Sequence, residues 1–160
     1  MKTTFPLTHI WTVVCSRSSV DIDSNNISLF NLIEKLTFPI SVEQLKEAHD
    51  QGKQGIFFPI EFEVVTRYRR ANETQSDAMD ARLRLINPEG KVILSHDEKI
   101  ALKKGISNLR LRNKFNGFPV DKAGTYWLAV EVKSVDDSSY TEVYRTPIDV
   151  VLKAVDSKNA

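Results

Sequence analysis

IEFEVVTRYR, residues 60–69, alternates between the two faces of a β-strand. Ile60, Phe62, Val64 and Tyr68 fall on one face, whereas the other face carries mostly charged side chains. Side chains two positions apart lie on the same face of a strand, so this spacing predicts a strand that buries one face. The sequence therefore indicates a sheet at the centre of the fold.

The next alternating stretch, MDARLRL (79–85), predicts a second strand with its apolar face turned the same way. The polar residues between the two stretches predict a hairpin loop. A register with Val64 opposite Leu83 also pairs opposite charges on the solvent face, namely Arg67 with Asp80 and Glu63 with Arg84. Such cross-strand pairs stabilise a sheet by roughly 0.2–1 kcal/mol each. The charges thus favour an antiparallel hairpin of these two strands.

Period-two patterns extend to both ends of the chain. They predict further strands at 10–20, 27–36, 91–95, 106–115, 121–133 and 141–153. Pro88 and Gly90 in Asn-Pro-Glu-Gly predict a type I turn after the second strand. Proline cannot donate to a ladder, so Pro59 is expected at a strand's first position and Pro147 at an edge or a bend.

Only one helix is expected. Ser41 and Gln44 have the spacing of a capping box, and apolar residues follow at helical intervals, which predicts a short helix near 41–50 that ends by Gly52. A chain of 160 residues is the size of one domain. We expect a single all-β domain over 1–153, an antiparallel Ig-like β-sandwich of seven or eight strands, and a frayed tail at 154–160.

Three segments together resemble a known family: ISLFNL closing on Phe38-Pro39, LRLINPEGK (83–91) and AGTYWLAV (123–130). They are similar to small, uncharacterised bacterial proteins with an Ig-like sandwich, over about residues 9–153. The resemblance implies the sandwich fold and a bacterial origin. The family has no assigned activity, so the resemblance implies no catalytic residue.

Charge and composition exclude several classes of protein. With 22 Lys+Arg against 21 Asp+Glu, the net charge of +1 argues against a whole-protein field that gathers nucleic acid or anionic lipid. The single cysteine, Cys15, can form neither an intramolecular disulfide nor a thiolate zinc site. No stretch approaches the roughly 20 apolar residues of a membrane span, and the amino terminus lacks a secretory apolar region. We expect a cytoplasmic protein without membrane contact.

Motifs for catalysis are missing from the sequence. No nucleophile elbow or phosphate-binding glycine pattern occurs, and neither His49 nor His96 has the spacing of a metal site. Cys15 alternates with apolar residues and is expected to be a small buried hydrophobe. Asp21 to Asn26 lack the glycine and glutamate of a calcium loop, so we expect a turn that tolerates left-handed backbone geometry. The sequence predicts no enzyme, no catalytic residue, no metal and no cofactor.

Arginines and one tryptophan are the candidate binding residues. Arg67, Arg69, Arg82 and Arg84 are expected on the outer face of the predicted hairpin, where acidic neighbours absorb much of their charge. Trp127 is expected to point away from the core, beside small and charged neighbours, and tryptophan and arginine are enriched in binding hot spots. A covering segment is the alternative for Trp127.

Three functions follow from this inventory. The first is a non-enzymatic module for protein interaction or self-association, through Trp127 or through exposed strand edges. The second is a nucleic-acid-associated accessory protein that uses the basic hairpin. The third is a sandwich that binds a small ligand or a carbohydrate, with Trp127 and Tyr140 as stacking residues.

Overall fold

The computed structural model describes residues 5–53, 55–70, 74 and 77–153. Eleven strands and one helix occur in this part of the chain. In order they are β1 (Leu7–Val20), β2 (Ile27–Leu32), β3 (Lys35–Phe38), α1 (Val42–Asp50), β4 (Ile56–Phe58), β5 (Phe62–Arg70), β6 (Asp77–Ile86), β7 (Val92–Leu102), β8 (Asn108–Phe115), β9 (Phe118–Val120), β10 (Gly124–Ser134) and β11 (Thr141–Leu152). The predicted tail at 154–160 lies outside the described residues.

Two sheets face each other and form a β-sandwich, which confirms the all-β prediction. The first sheet has the order β2-β1-β5-β8, the second has the order β3-β11-β10-β6-β7, and β4 pairs with β9. All pairs are antiparallel except β3 with β11, which is parallel. The expectation of seven or eight antiparallel strands is therefore corrected. Two short strands, β4 and β9, had no alternating signal of their own, and the predicted strand 27–36 divides into β2 and β3, which belong to different sheets.

The core lies between the two sheets, where the alternating apolar faces meet. Its largest fully buried side chains include Tyr68 on the first sheet and Tyr126 and Met79 on the second. Helix α1 contributes Leu45 to the same core cluster. Burial of these apolar side chains supplies the main driving force for folding.

The predicted hairpin of residues 60–69 with 79–85 does not form. Strand β5 pairs with β1 and β8 in the first sheet, whereas β6 pairs with β10 and β7 in the second. Val64 and Leu83 both enter the core, but from opposite sheets. The predicted charge pairs are therefore wrong. The observed ion pairs are Asp80 with Lys133, Arg84 with Glu131, and Glu63 with Arg112 and Lys114.

The local motifs are formed as the sequence predicted. The Ser41 hydroxyl accepts from the Gln44 backbone N–H and the Gln44 side chain accepts from the Ser41 N–H, which completes the capping box of α1. Between β6 and β7, the Gly90 N–H donates to the Asn87 carbonyl at 2.9 Å, and Gly90 has a φ of 82°. This positive φ explains the glycine, because side chains rarely adopt it.

The two prolines differ in outcome. Strand β3 pairs with Asp149 to Leu152 of β11, so β11 has a single neighbour at Pro147 among the strands that the structure describes, as predicted for an edge. Pro59 lies between β4 and β5 instead of at a strand's first position.

Among the described residues, no helix is long and apolar enough to cross a membrane.

Candidate binding cleft

The β1–β2 hairpin leaves the first sheet and crosses its outer face. Pairing of β1 with β5 stops at Cys15 opposite Glu63, and beyond this point β1 pairs only with β2. We call residues 16–32 the arm. The Arg112 side chain on β8 donates to the Ser18 hydroxyl at 2.7 Å and to the Ser18 carbonyl at 2.9 Å. Since β5 separates β1 from β8 in the sheet, these contacts place the arm across β5.

A buried carboxylate fastens the base of the arm. Glu63 accepts a hydrogen bond from the Ser18 hydroxyl and forms ion pairs with Arg112 and Lys114. Burial acts to raise the pKa of Glu63, but the Ser18 hydrogen bond and the two cations hold that pKa below its usual range. Glu63 is therefore charged at neutral pH and joins the arm to β8.

The arm explains why the outer face of the first sheet is buried in part. Val65 and Cys15 point to that outer face, yet both are fully buried. The prediction that Cys15 is a small buried hydrophobe is confirmed. Burial, followed by the nearby Glu63 charge, raises the pKa of its thiol.

The tip of the arm is a tight polar turn. One Asp21 carboxylate oxygen accepts from both the backbone N–H and the hydroxyl of Ser24, at 2.7 Å each. Asn25 has a φ of 55°, which confirms the predicted left-handed turn residue. The turn directs the Asn25 carbonyl towards β8, where it accepts from Arg110 at 2.8 Å.

A cleft of about 630 Å³ lies between the arm and the sheet. This volume is in the range of small-molecule binding sites. Its floor comes from β1, β5 and β8, and its roof comes from the arm. The lining residues are Trp11, Val20, Ser24, Asn25, Asn26, Ile27, Arg67, Asn108, Leu109, Arg110 and Arg112.

The lining combines one large aromatic side chain with many hydrogen-bond donors. Trp11 is half-buried in the floor and presents part of its indole. Three guanidinium groups and several amides surround it, and among the described lining residues none is acidic. Amides both donate and accept, while guanidinium groups only donate. The cleft therefore suits a ligand with an apolar face, a polar rim and, at one side, an acceptor or a negative charge.

The four predicted arginines lie on two opposite faces of the molecule, so the expected basic surface is corrected. Arg67 and Arg69 are exposed on the first sheet, and Arg67 lines the cleft. Arg82 and Arg84 lie on the second sheet, where Arg82 forms a two-point ion pair with Asp97 and Arg84 pairs with a glutamate. The reason is the absence of the hairpin that was expected to join them.

Trp127 lies on the outer face of the second sheet, as strand parity predicted. It is half-buried, and the Arg145 guanidinium carbon lies 5.7 Å from the centre of its ring. The Arg82 guanidinium carbon lies 3.8 Å from the centre of the Tyr140 ring. Trp127 pairs with Pro147, whereas Tyr140 lies seven residues earlier in the chain and contacts Arg82 and Lys133 instead. The structure does not bring these rings together as one stacking site.

Trp11 and Arg110 are the site residues that sequence reasoning missed. Trp11 shares the outer face with Val13 and Cys15, while Thr12 and Val14 occupy the inner face. A strand that is largely apolar on both faces is typical of one that is covered on both sides. That signal in β1 indicates a covering segment such as the arm, although it does not identify which segment.

Comparisons with known proteins support the fold alone. No family model matches the chain, and no curated protein matches it. Among solved structures, the chain is similar to the C-terminal domain of wzt, with 12% identity and a TM-score of 0.51. The match covers 98% of this chain and 83% of that chain. At this identity the likeness establishes a shared β-sandwich, and the family resemblance stays a prediction.

Proposed function

We propose that the protein is a non-enzymatic β-sandwich that binds a saccharide in the cleft beneath the arm. The observation that supports this proposal is the presence of Trp11 in the floor of a cleft whose polar lining consists mostly of amides and guanidinium groups, beside the apolar Val20, Ile27 and Leu109. A sugar ring has an apolar C–H face and a rim of hydroxyls, so it matches an indole surrounded by polar groups. The sequence analysis placed the stacking residues of a carbohydrate site at Trp127 and Tyr140, whereas this proposal places the sugar ring on Trp11.

The two tryptophans provide a matched test, because they lie on opposite sheets. Wild type, Trp11→Ala and Trp127→Ala are each incubated with an array of neutral and acidic oligosaccharides. We expect wild type and Trp127→Ala to bind the same saccharides. Trp11→Ala should lose at least about tenfold in affinity, which corresponds to about 1.4 kcal/mol. Absence of saccharide binding by wild type, or equal binding by both variants, would refute the proposal.

Protein interaction or self-association is the second candidate, and the edge strand β2 favours it. Within the described part of the chain, β2 has only β1 as a neighbour in the first sheet. It exposes Phe30 and Leu32, and Leu32 is 57% exposed. An unpaired edge with apolar side chains can add a strand from a partner. Sedimentation velocity tests the self-association form: wild type should associate and Leu32→Lys should remain monomeric. A monomeric wild type would remove that form of the candidate.

A further inference from the structure

Two arginines on the cleft floor face each other across neighbouring strands. Arg67 of β5 is the direct partner of Arg110 on β8, and both side chains line the cleft. Side chains that are directly opposite have Cβ atoms about 5 Å apart, and like charges at that spacing repel. A negatively charged group bound between Arg67 and Arg110 would relieve this repulsion.

Neither arginine of this pair has a carboxylate partner among the described residues, and of the other seven arginines only Arg17 and Arg69 share that property there. Arg70, Arg82, Arg84, Arg112 and Arg145 all form ion pairs. The two cleft arginines contact neutral oxygens instead. Arg67 donates to the Asn108 side-chain oxygen at 3.2 Å, and Arg110 donates to the Asn25 carbonyl at 2.8 Å. These contacts orient the guanidinium groups without neutralising them.

Each guanidinium group retains donors for a ligand. Arginine has five N–H donors in a planar fork, and each of these contacts uses only one terminal nitrogen. The fork matches the paired oxygens of a carboxylate, sulfate or phosphate group. The neighbouring Arg112 is occupied by Ser18 and Glu63, so the free positive charge of the cleft is concentrated at Arg67 and Arg110.

We infer that the cleft takes an acidic saccharide, whose carboxylate, sulfate or phosphate group binds between Arg67 and Arg110 while a sugar ring lies on Trp11. This inference rests on the proposed function, because it assigns the ligand class of the same site. Nucleic acid is disfavoured as the occupant. Single strands are bound along extended basic grooves with several aromatic side chains, whereas this cleft has one indole and the arm crosses above it.

The first experiment uses inorganic sulfate as the probe. Trp127→Phe leaves Trp11 as the only tryptophan, so its fluorescence reports on the cleft. In that background, sodium sulfate is titrated against sodium chloride of equal ionic strength. We expect a saturable change with sulfate only. Arg67→Gln and Arg110→Gln should weaken sulfate binding at least about tenfold, and Arg69→Gln should leave it unchanged.

Arg69→Gln is the matched control because Arg69 lies on the same face of β5, two residues along, and is not part of the cleft lining. A lack of a sulfate-specific change in the parent protein would overturn the inference. Equal weakening in all three variants would also overturn it, since the effect would then come from the general charge of the sheet.

A second measurement distinguishes recognition of the acidic group from recognition of the sugar ring. The same variants are tested on matched acidic and neutral oligosaccharides, and we expect Arg67→Gln to lose binding to the acidic member of each pair only. Neutral saccharides bound through Trp11, with no sulfate effect, would overturn the inference and leave the proposed function intact. Sulfate binding without saccharide binding would refute both the saccharide assignment and the proposed function. Displacement of sulfate by a single-stranded oligonucleotide, but by no saccharide, would likewise reassign the site to nucleic acid.

Discussion

Tyr126→Phe removes one hydroxyl from the centre of a buried network, and we expect a large loss of stability. The hydroxyl donates to an Asp121 carboxylate oxygen at 2.6 Å and accepts from the backbone N–H groups of Asp121 and Lys122 at 3.1 and 3.2 Å. The other Asp121 oxygen accepts from the Asn87 side chain at 2.5 Å. The network therefore joins the start of β10 to the turn that follows β6.

The magnitude follows from the groups that lose a partner. A hydrogen bond to a charged group contributes about 1.5–3 kcal/mol, and a buried N–H left without an acceptor costs about 1–3 kcal/mol. The Lys122 N–H is close to solvent and can bond to water, whereas Asp121 is buried. We expect a loss of about 3 kcal/mol in the free energy of unfolding. For a chain of this size that corresponds to a fall in Tm of roughly 6–12 °C.

Urea unfolding followed by circular dichroism measures this loss, and Tyr144→Phe is the matched control. Tyr144 is half-buried and its ring stacks on His9 at 4.8 Å, but its hydroxyl has no hydrogen-bond partner among the described residues. The control should lose less than about 0.5 kcal/mol. If the Tyr126 variant loses no more than the control, the hydroxyl network does not stabilise this part of the sandwich.

Three further predictions concern charge and ionisation. Arg67→Glu replaces a like-charge pair with an attractive pair to Arg110, so the free energy of unfolding, measured by chemical denaturation, should increase by about 0.2–1 kcal/mol. Sulfate binding should be lost in the same variant. A decrease in the free energy of unfolding would contradict this account of the cleft. Burial raises the pKa of Tyr68 and of Tyr126 above the usual value of about 10, so the unfolded chain loses these protons at a lower pH than the folded chain. The free energy of unfolding should therefore fall above pH 10 by up to about 1.4 kcal/mol per pH unit for each tyrosine. Unfolding curves across that pH range should show a shallower fall for Tyr68→Phe than for wild type, and an unchanged slope would contradict the raised pKa of Tyr68. Glu63→Gln removes the charge that fastens the arm, so hydrogen exchange of arm amides should accelerate while the core strands keep their protection; equal acceleration everywhere would indicate global destabilisation instead.

Local patterns in the sequence predicted individual strands and turns, but not which strands are neighbours. The alternation in residues 60–69 is the same whether β5 pairs with β6 or faces it across the core. The charge pattern did not exclude the wrong hairpin, because Glu63 and Arg84 each pair with a different residue of opposite charge in the sandwich. Complementary charges on two strands are thus weak evidence for a ladder in a chain where more than a quarter of the residues are charged.

The cleft could not be predicted from the sequence either, because local patterns do not show which distant segments are neighbours. Its roof and floor are held together by contacts between residues far apart in the chain: Asn25 and Arg110 are separated by 85 positions, and Ser18 and Arg112 by 94. The sequence predicted the turn at the tip of the arm but contained no local signal for its destination. Arg67 was among the predicted binding residues and lies in the cleft lining, whereas the sequence pattern did not single out its partner Arg110.

The strand order has a consequence for how the chain folds. Of the described strands, only β1–β2, β6–β7 and β10–β11 are hairpins of consecutive strands, and the other contacts of both sheets must bring distant segments together. Thr12 and Thr66 are 54 residues apart, and Arg84 and Glu131 are 47 apart. Such topologies fold in milliseconds to seconds because the entropy of closing long loops is lost before the contacts form. Strand β5 has no consecutive partner at all, so both of its edges stay open until β1 and β8 arrive. Refolding yield should therefore fall as protein concentration rises, with β5 as the segment through which partly folded chains associate.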